Sequence, residues 1–482
     1  MCAGCTAGRP FRFRPAKSPD LVGTFSEQLA AFAADLRYED IPAAIAERLR
    51  LHALDLAGVC LLGAPMEFAR ILRAVAGASG GAEESTLLGA GANGGPLRLP
   101  APLAALYNGG LAHGNEFDDT YAPGRWHGSA GIVPPALAVA EQLHAGGKAF
   151  LTALAAGLEV GCRLSRAAPG LLSRGFHSTG TVGAFGGALA AGKLMGLERG
   201  QLAHALGIAG GFASGTAEFL GDPEPWSKRI QVGNAAQCAI TAARAAAQGF
   251  QGPRTIFEGR HGYFRAYAGE GNYDLSRIAE SLGADWQIRH LYPKRYACDH
   301  IAQGYVDCAI ALAREPGFSA GAVERVECVV HPLAAAVMFE PRALRYEPAS
   351  GWSARWSMPF NMAVALADGA LAVDAWTDAR AVDPATRALM AKVAHATDPA
   401  MAFPGDYPAR LRVRLRDGRV LEREQRKVAG TPENPMDAAE YERKFLDNAR
   451  RAIGERRAAI FVERMRALAA EKDMSGLAQL AA

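Results

Sequence analysis

The chain has 482 residues, half of them hydrophobic and about a fifth charged, with a formal net charge of +3. That length is too great for one ordinary core and predicts two or three domains of a soluble globular protein. The near-neutral balance, with no clustered basic surface, argues against nucleic acid as a partner. No apolar run reaches the roughly 20 residues that a spanning helix needs, so no membrane partner is expected.

Residues 1–22 read as a flexible tail that lacks the hydrophobic core of a signal peptide. Cys2 and Cys5 form a CxxC, but no second CxxC exists to complete a four-thiolate zinc site. The other cysteines sit mostly among apolar neighbours, as expected of reduced thiols in a cytoplasmic protein. Ser26 predicts the cap of a short amphipathic helix, and Pro42 opens a longer one over 42–61, with Ile45, Leu49, Ala53 and Leu56 at helical spacing. Glycine-rich connectors follow. No strand–helix–strand alternation carries a GxGxxG, which argues against a dinucleotide fold.

An apolar run then leads into 113–129, which packs His113, Glu116, Asp118, Asp119, Thr120, Arg125 and His127 into 17 positions. If 102–120 is mainly helical, His113, Glu116 and Thr120 share a face. Pro123 and Gly124 break that helix and let Arg125 and His127 fold back over its end. Helices are expected over 134–143 and 150–167. A second polar cluster, Gly175-Phe-His177-Ser-Thr179, precedes a Gly/Ala helix, with Ser178 and Thr179 as its expected caps. Lys228 and Arg229 come just before another small-residue helix over 234–248, where Lys228 can bind a carboxylate.

Over 275–425 the character becomes α+β. Residues 322–332 and 410–416 alternate like strands, and Asp417-Gly418 signals a hairpin into 419–424. Helices are expected over 360–367 and 384–393, and charged helices close the chain from 437. At the entrance to this region Lys294, Arg295, Asp299 and His300 form a third polar cluster, where a cleft between domains would lie.

Five motifs occur in order: His-x-x-acid-Phe-Asp-Asp-Thr (113–120), Gly-Phe-His-x-Thr (175–179), Lys-Arg-Ile-x-x-Gly-Asn-Ala-Ala (228–236), Lys-Arg-Tyr-x-Cys (294–298) and Arg-Trp-Ser-Met-Pro-Phe (355–360). Together they resemble the MmgE/PrpD family, which includes 2-methylcitrate dehydratase, cis-aconitate decarboxylase and iminodisuccinate epimerase. The likeness covers roughly residues 22–450. It implies a mainly α fold: a large all-helical domain (23–274 with 426–482) plus a smaller α+β lid domain (275–425), commonly as a homodimer. It also implies small di- or tricarboxylate substrates, no organic cofactor, and site residues at Glu116, Thr120, His127, His177 and Lys228. Two departures stand out. The family usually has Asp at the position of Glu116, and His-Gly-Ser (127–129) replaces the commoner His-Pro-Ser after a slightly longer loop.

The chemistry expected is removal of a weakly acidic proton next to a carboxylate. Imidazole, with an ordinary pKa of about 6.5, suits that task at neutral pH. His177 and His127 are the expected acid–base pair, with Glu116 as an alternative acid. Lys228, Arg125, Lys294 and Thr120 are placed to stabilise developing negative charge, and Arg295, Asp299, His300 and Asp119 complete the expected substrate-binding set. A dehydratase-type lyase is the leading expectation, with isomerisation, epimerisation or decarboxylation as alternatives. A metal enzyme using His113, Glu116, Asp118, Asp119 and His127 is a further class, and a non-catalytic carboxylate-binding protein another.

Overall fold

A computed structural model describes residues 23–93, 97–222, 226–403 and 405–482. The expected tail, its CxxC and the 223–225 part of the Lys228 segment lie outside the described residues. The fold is mainly α. Among the described residues there are nineteen α-helices and three small sheets, so helix packing rather than strand pairing sets the architecture.

Two large apolar clusters hold the molecule together. One takes residues from 29–291 and from 445–481. The other runs from Tyr292 to Val428 and also takes Val59, Leu62, Phe117 and Ala122, the points where the first half reaches into it. The largest sheet belongs to the second cluster. Its strands run in the order Val393–Thr397, Val323–Val330, Ala409–Leu415 and Val420–Gln425; the first pair is parallel and the others antiparallel. Asp417-Gly418 turns the expected hairpin, with Gly418 at φ 89°.

Small residues let the site-bearing helices approach closely. A Cβ on Gly109 would lie 3.0 Å from Gly233 Cα, where the Ala101–Ala112 helix crosses Ser227–Ala247. A Cβ on Gly131 would lie 2.9 Å from Gly183 Cα, where Gly128–Gln142 crosses Ser178–Leu194. The alanine and glycine content of these segments therefore serves backbone contact rather than flexibility.

Several expected boundaries move. The first helix, Phe25–Asp35, is capped by Thr24 through a capping box with Glu27, and Ser26 lies inside it. Helices expected to begin at 134 and 234 begin at Gly128 and Ser227, so His127 becomes an N-cap and Lys228 enters a first helical turn. The expected 384–393 helix ends at Met390 and yields to the strand from Val393. The six described cysteines are free, and all but Cys238 are buried. No helix among the described residues is long and apolar enough to cross a membrane.

Candidate active site

The expected helix through Thr120 does not form; it ends at Ala112, with His113 as its C-cap. The chain then coils into a buried turn in which Glu116 takes left-handed backbone (φ 52°). That conformation disfavours a residue with a Cβ. Long-range donors hold the turn: Arg355 Nη1 to Asn115 O (2.9 Å), Lys294 Nζ to Glu116 O (3.2 Å) and Lys444 Nζ to Phe117 O (2.9 Å). Thr120–Tyr121 then pairs antiparallel with Leu291–Tyr292, which brings the 294–300 segment to the site. His113, Glu116 and Thr120 are thus assembled by a turn and a two-residue strand, not by one helix face.

The turn surrounds a buried polar cluster. Glu116 Oε1 is in direct contact with Lys228 Nζ, and its Oε2 lies 3.3 Å from Lys294 Nζ. Burial and the neighbouring Lys294 push the Lys228 pKa well down, while the Glu116 carboxylate in contact with it holds the proton in place. His113 Nδ1 is 2.6 Å from Asp118 Oδ2 and its Nε2 is 3.2 Å from His177 Nε2; His177 Nδ1 in turn faces Gln231 Oε1 at 2.8 Å. Burial lowers the His177 pKa to about 4 and drives His113 well below the ordinary range, whereas it raises Asp118.

A cleft of about 300 Å³ opens in front of this cluster, lined by Thr120, Arg125, His127, Asp299, His300, Phe403 and Tyr407 among others. His127 is the link between cleft and cluster. Its Nδ1 lies 2.8 Å from the Asp119 carbonyl, 3.3 Å from Thr120 Oγ1 and 3.9 Å from Asp118 Oδ2. Burial lowers its pKa to about 3. Arg125 takes left-handed backbone, accepts a hydrogen bond from Ser178 Oγ on its carbonyl, and holds its guanidinium 5.8 Å from the Phe403 ring. Asp299 caps the 3₁₀ turn His300–Ala302, and the His300 ring lies tilted against Tyr407, with centroids 4.6 Å apart.

The structure therefore brings Thr120, Arg125, His127, Asp299 and His300 to the cleft, and sets Glu116, His177, Lys228 and Lys294 behind it. Two expected residues fall elsewhere. Asp119 turns away: His52 Nδ1 sits 2.8 Å from its Oδ2, and Ser129 bonds both oxygens through its backbone N–H and hydroxyl. Arg295 pairs with Glu440 (2.7 Å) and Asp307 (3.5 Å) on a different cleft, beside Lys444. Two further side chains join the cluster: Asp118, which the sequence offered only as a metal ligand, and Gln231, which it did not single out. Asp118 stands in the first motif, but Gln231 carries no signal beyond lying one turn from Lys228. Among the described residues, no group of three or more His, Cys, Asp or Glu side chains has the arrangement to hold a metal ion.

The chain is 26% identical over 446 residues to human cis-aconitate decarboxylase, covering 90% of this chain and 89% of that one. It is 28% identical over 301 residues to cis-aconitate decarboxylase of Aspergillus terreus, 60% of each chain. It is also 28% identical over 306 residues to the cis-aconitate decarboxylase-like protein oryM of Aspergillus oryzae, 61% of this chain and 62% of that one. The MmgE/PrpD N-terminal domain matches residues 27–276 and the MmgE/PrpD C-terminal domain residues 296–468. The chain belongs to the MmgE/PrpD family.

Proposed function

We propose that the protein is a lyase for a small tricarboxylate, working by proton transfer at the carbon beside a carboxylate with His127 as the base. One observation carries this reading. A backbone carbonyl only accepts, so the Asp119 carbonyl at 2.8 Å fixes the hydrogen on His127 Nδ1 and leaves Nε2 bare at the cleft wall. With a pKa of about 3 the ring is neutral at physiological pH, and a carboxylate arriving beside it raises its proton affinity. Arg125 supplies a cation inside the cleft and Thr120 a hydroxyl. Behind them two lysines share the single carboxylate of Glu116, so the wall facing developing negative charge carries a positive excess. His177 fits the second acid–base role from behind that wall.

Dehydration of a hydroxy-tricarboxylate is the leading reaction. Decarboxylation is the second reading, favoured by relatives named cis-aconitate decarboxylase, one matching along 90% of this chain. The same reading takes 275–425 as a lid over a helical body and a homodimer as the working unit; light scattering on the purified protein tests the latter.

The test is proton NMR in deuterium oxide with citrate, 2-methylcitrate and cis-aconitate. Vinyl signals from the hydroxy acids identify dehydration. Consumption of cis-aconitate with a new deuterated methylene identifies decarboxylation. A folded protein that exchanges no proton and turns over none of the three sinks the tricarboxylate reading.

A further inference from the structure

We infer that Asp118, His113 and His177 form a relay holding one transferable proton, which rests on Asp118 and passes to His177 when an anionic substrate arrives. The inference rests on reading the cleft as a carboxylate site, but its resting state follows from hydrogen-bond accounting and burial, whatever the substrate.

The accounting starts at the far end. Gln231 Nε2 donates to the Thr216 carbonyl at 3.0 Å, so its Oε1 is the atom 2.8 Å from His177 Nδ1. An amide oxygen only accepts, so His177 Nδ1 carries a hydrogen. His177 Nε2 then meets His113 Nε2 at 3.2 Å. Two bare nitrogens repel at that distance, so one must carry a hydrogen. Placing it on His177 creates a buried imidazolium, while placing it on His113 leaves both rings neutral. With His113 and Asp118 fully buried and His177 only 4% exposed, the neutral arrangement wins. His113 Nδ1 is then bare, 2.6 Å from Asp118 Oδ2, and the carboxyl supplies the hydrogen between them.

The transfer balances without any other reactant. The Asp118 O–H bond breaks as an N–H bond forms at His113 Nδ1. The His113 Nε2–H bond breaks as an N–H bond forms at His177 Nε2. Asp118 becomes a carboxylate, His177 an imidazolium, and the three groups together stay neutral. The surrounding charges suit both states. Asp118 faces Lys294 Nζ (3.9 Å from Oδ1), His127 Nδ1 (3.9 Å from Oδ2) and its neighbour Asp119; Lys228 and Lys294, neutralised in part by Glu116, discourage a cation on His113. His177 is flanked otherwise by Gln231 and the edge of Phe219. An anion in the cleft draws the positive charge outward along the chain, and Lys294 is in place to steady the carboxylate left behind. Asp118 and His113 are positioning residues in this scheme, acting through His177.

The experiment pairs nitrogen-15 NMR of the histidines with one isosteric variant. In the resting protein at neutral pH, His113, assigned through His113→Gln, is expected with Nε2 protonated and Nδ1 bare. Adding cis-aconitate moves its hydrogen to Nδ1 and leaves His177 doubly protonated. Asp118→Asn keeps a donor to His113 Nδ1, and so the resting tautomer and the fold, but has no proton to release. It is expected to melt with the parent protein, keep KM within about threefold, lose on the order of 10²-fold in kcat, and lose the alkaline limb of the pH–rate profile. A resting His113 protonated at Nδ1 overturns the relay, whatever the substrate proves to be. So does an Asp118→Asn variant with unchanged kcat and pH profile.

Discussion

His127 and His177 occupy the same place in two copies of one local motif. In each, a short 3₁₀ turn, Ala122–Gly124 or Leu172–Arg174, ends on a left-handed residue, Arg125 (φ 48°) or Gly175 (φ 84°). An aromatic residue, Trp126 or Phe176, then makes an isolated β-bridge, and the histidine becomes the N-cap of a helix. Even the cap dihedrals agree, with φ −96°, ψ 95° at His127 and φ −79°, ψ 99° at His177. Because the two helices touch at Gly131 and Gly183, the separation of the two imidazoles is set by a backbone contact a turn or two away.

Gly131→Ala tests that coupling. The new methyl would sit 2.9 Å from Gly183 Cα, so the helices must part. Overpacking of this kind costs about 1–3 kcal/mol. Turnover is expected to fall on the order of 10²-fold even though no polar group is touched, since small misplacements of paired groups are costly. Urea unfolding and steady-state kinetics on the same sample check both numbers; a stable variant with full activity would detach the helix crossing from the chemistry.

Arg125→Gln is expected to raise KM more than it lowers kcat. Hydrogen bonds to charged groups contribute roughly 1.5–3 kcal/mol, which predicts a rise in KM of about 10- to 100-fold. Equal loss in kcat with unchanged KM would move Arg125 from ground-state binding to the transition state.

His300 offers a pH test of burial. Neither ring nitrogen has a hydrogen-bond partner, and burial with Lys294 nearby lowers its pKa to about 3. Its unfolded value is about 6.5, so between those limits the unfolded chain binds the extra proton and stability falls as pH falls. Stability from this group is intact above about pH 6.5 and is reduced by about 2 kcal/mol at pH 5. Buried carboxyls with raised values, such as Asp118, act in the opposite sense. The comparison is therefore between the parent and His300→Phe: the variant should lose less stability between pH 7 and pH 5. Parallel losses would mean that His300 is already hydrated or protonated in the fold.

What the sequence disclosed follows from where each interaction partner lies. The Asp417-Gly418 hairpin is local, and it forms as its turn chemistry predicts. His127, His177 and Lys228 stand in compact motifs, and all three converge at the cleft or behind it. The helix end at Ala112 was not legible because the bonds that curl 113–118 come from Lys294, Arg355 and Lys444, 178 to 327 residues away. The apolar period of 102–112 simply runs on into the motif. Asp119 was misjudged for a similar reason: its partner His52 lies on a helix whose pattern speaks only of core. The doubled histidine motif escaped notice because its two copies share only an aromatic-His pair and a following Ser or Thr in sequence; Arg125 and Gly175 adopt the same handedness from different side chains.

Arg355 is one of the distant donors that hold that assembly. Its Nη1 donates to Asn115 O at 2.9 Å and to Ala297 O at 2.7 Å, tying the 113–118 turn to the segment that carries Asp299 and His300. The guanidinium is buried, and burial lowers its pKa to about 10, still far above neutrality, so it remains charged. Arg355→Met keeps much of the side-chain volume but leaves two buried carbonyls without a donor. Each orphaned group costs about 1–3 kcal/mol, so a loss of about 2–6 kcal/mol is expected in urea unfolding, with turnover falling as the turn relaxes. Arg355→Lys retains the charge, and should recover part of the stability but little of the activity, because its ammonium ends one bond short of the Nη1 position from which both carbonyls are reached. Full recovery by lysine would mean that charge alone, and not the paired geometry, holds the two halves of the site in register.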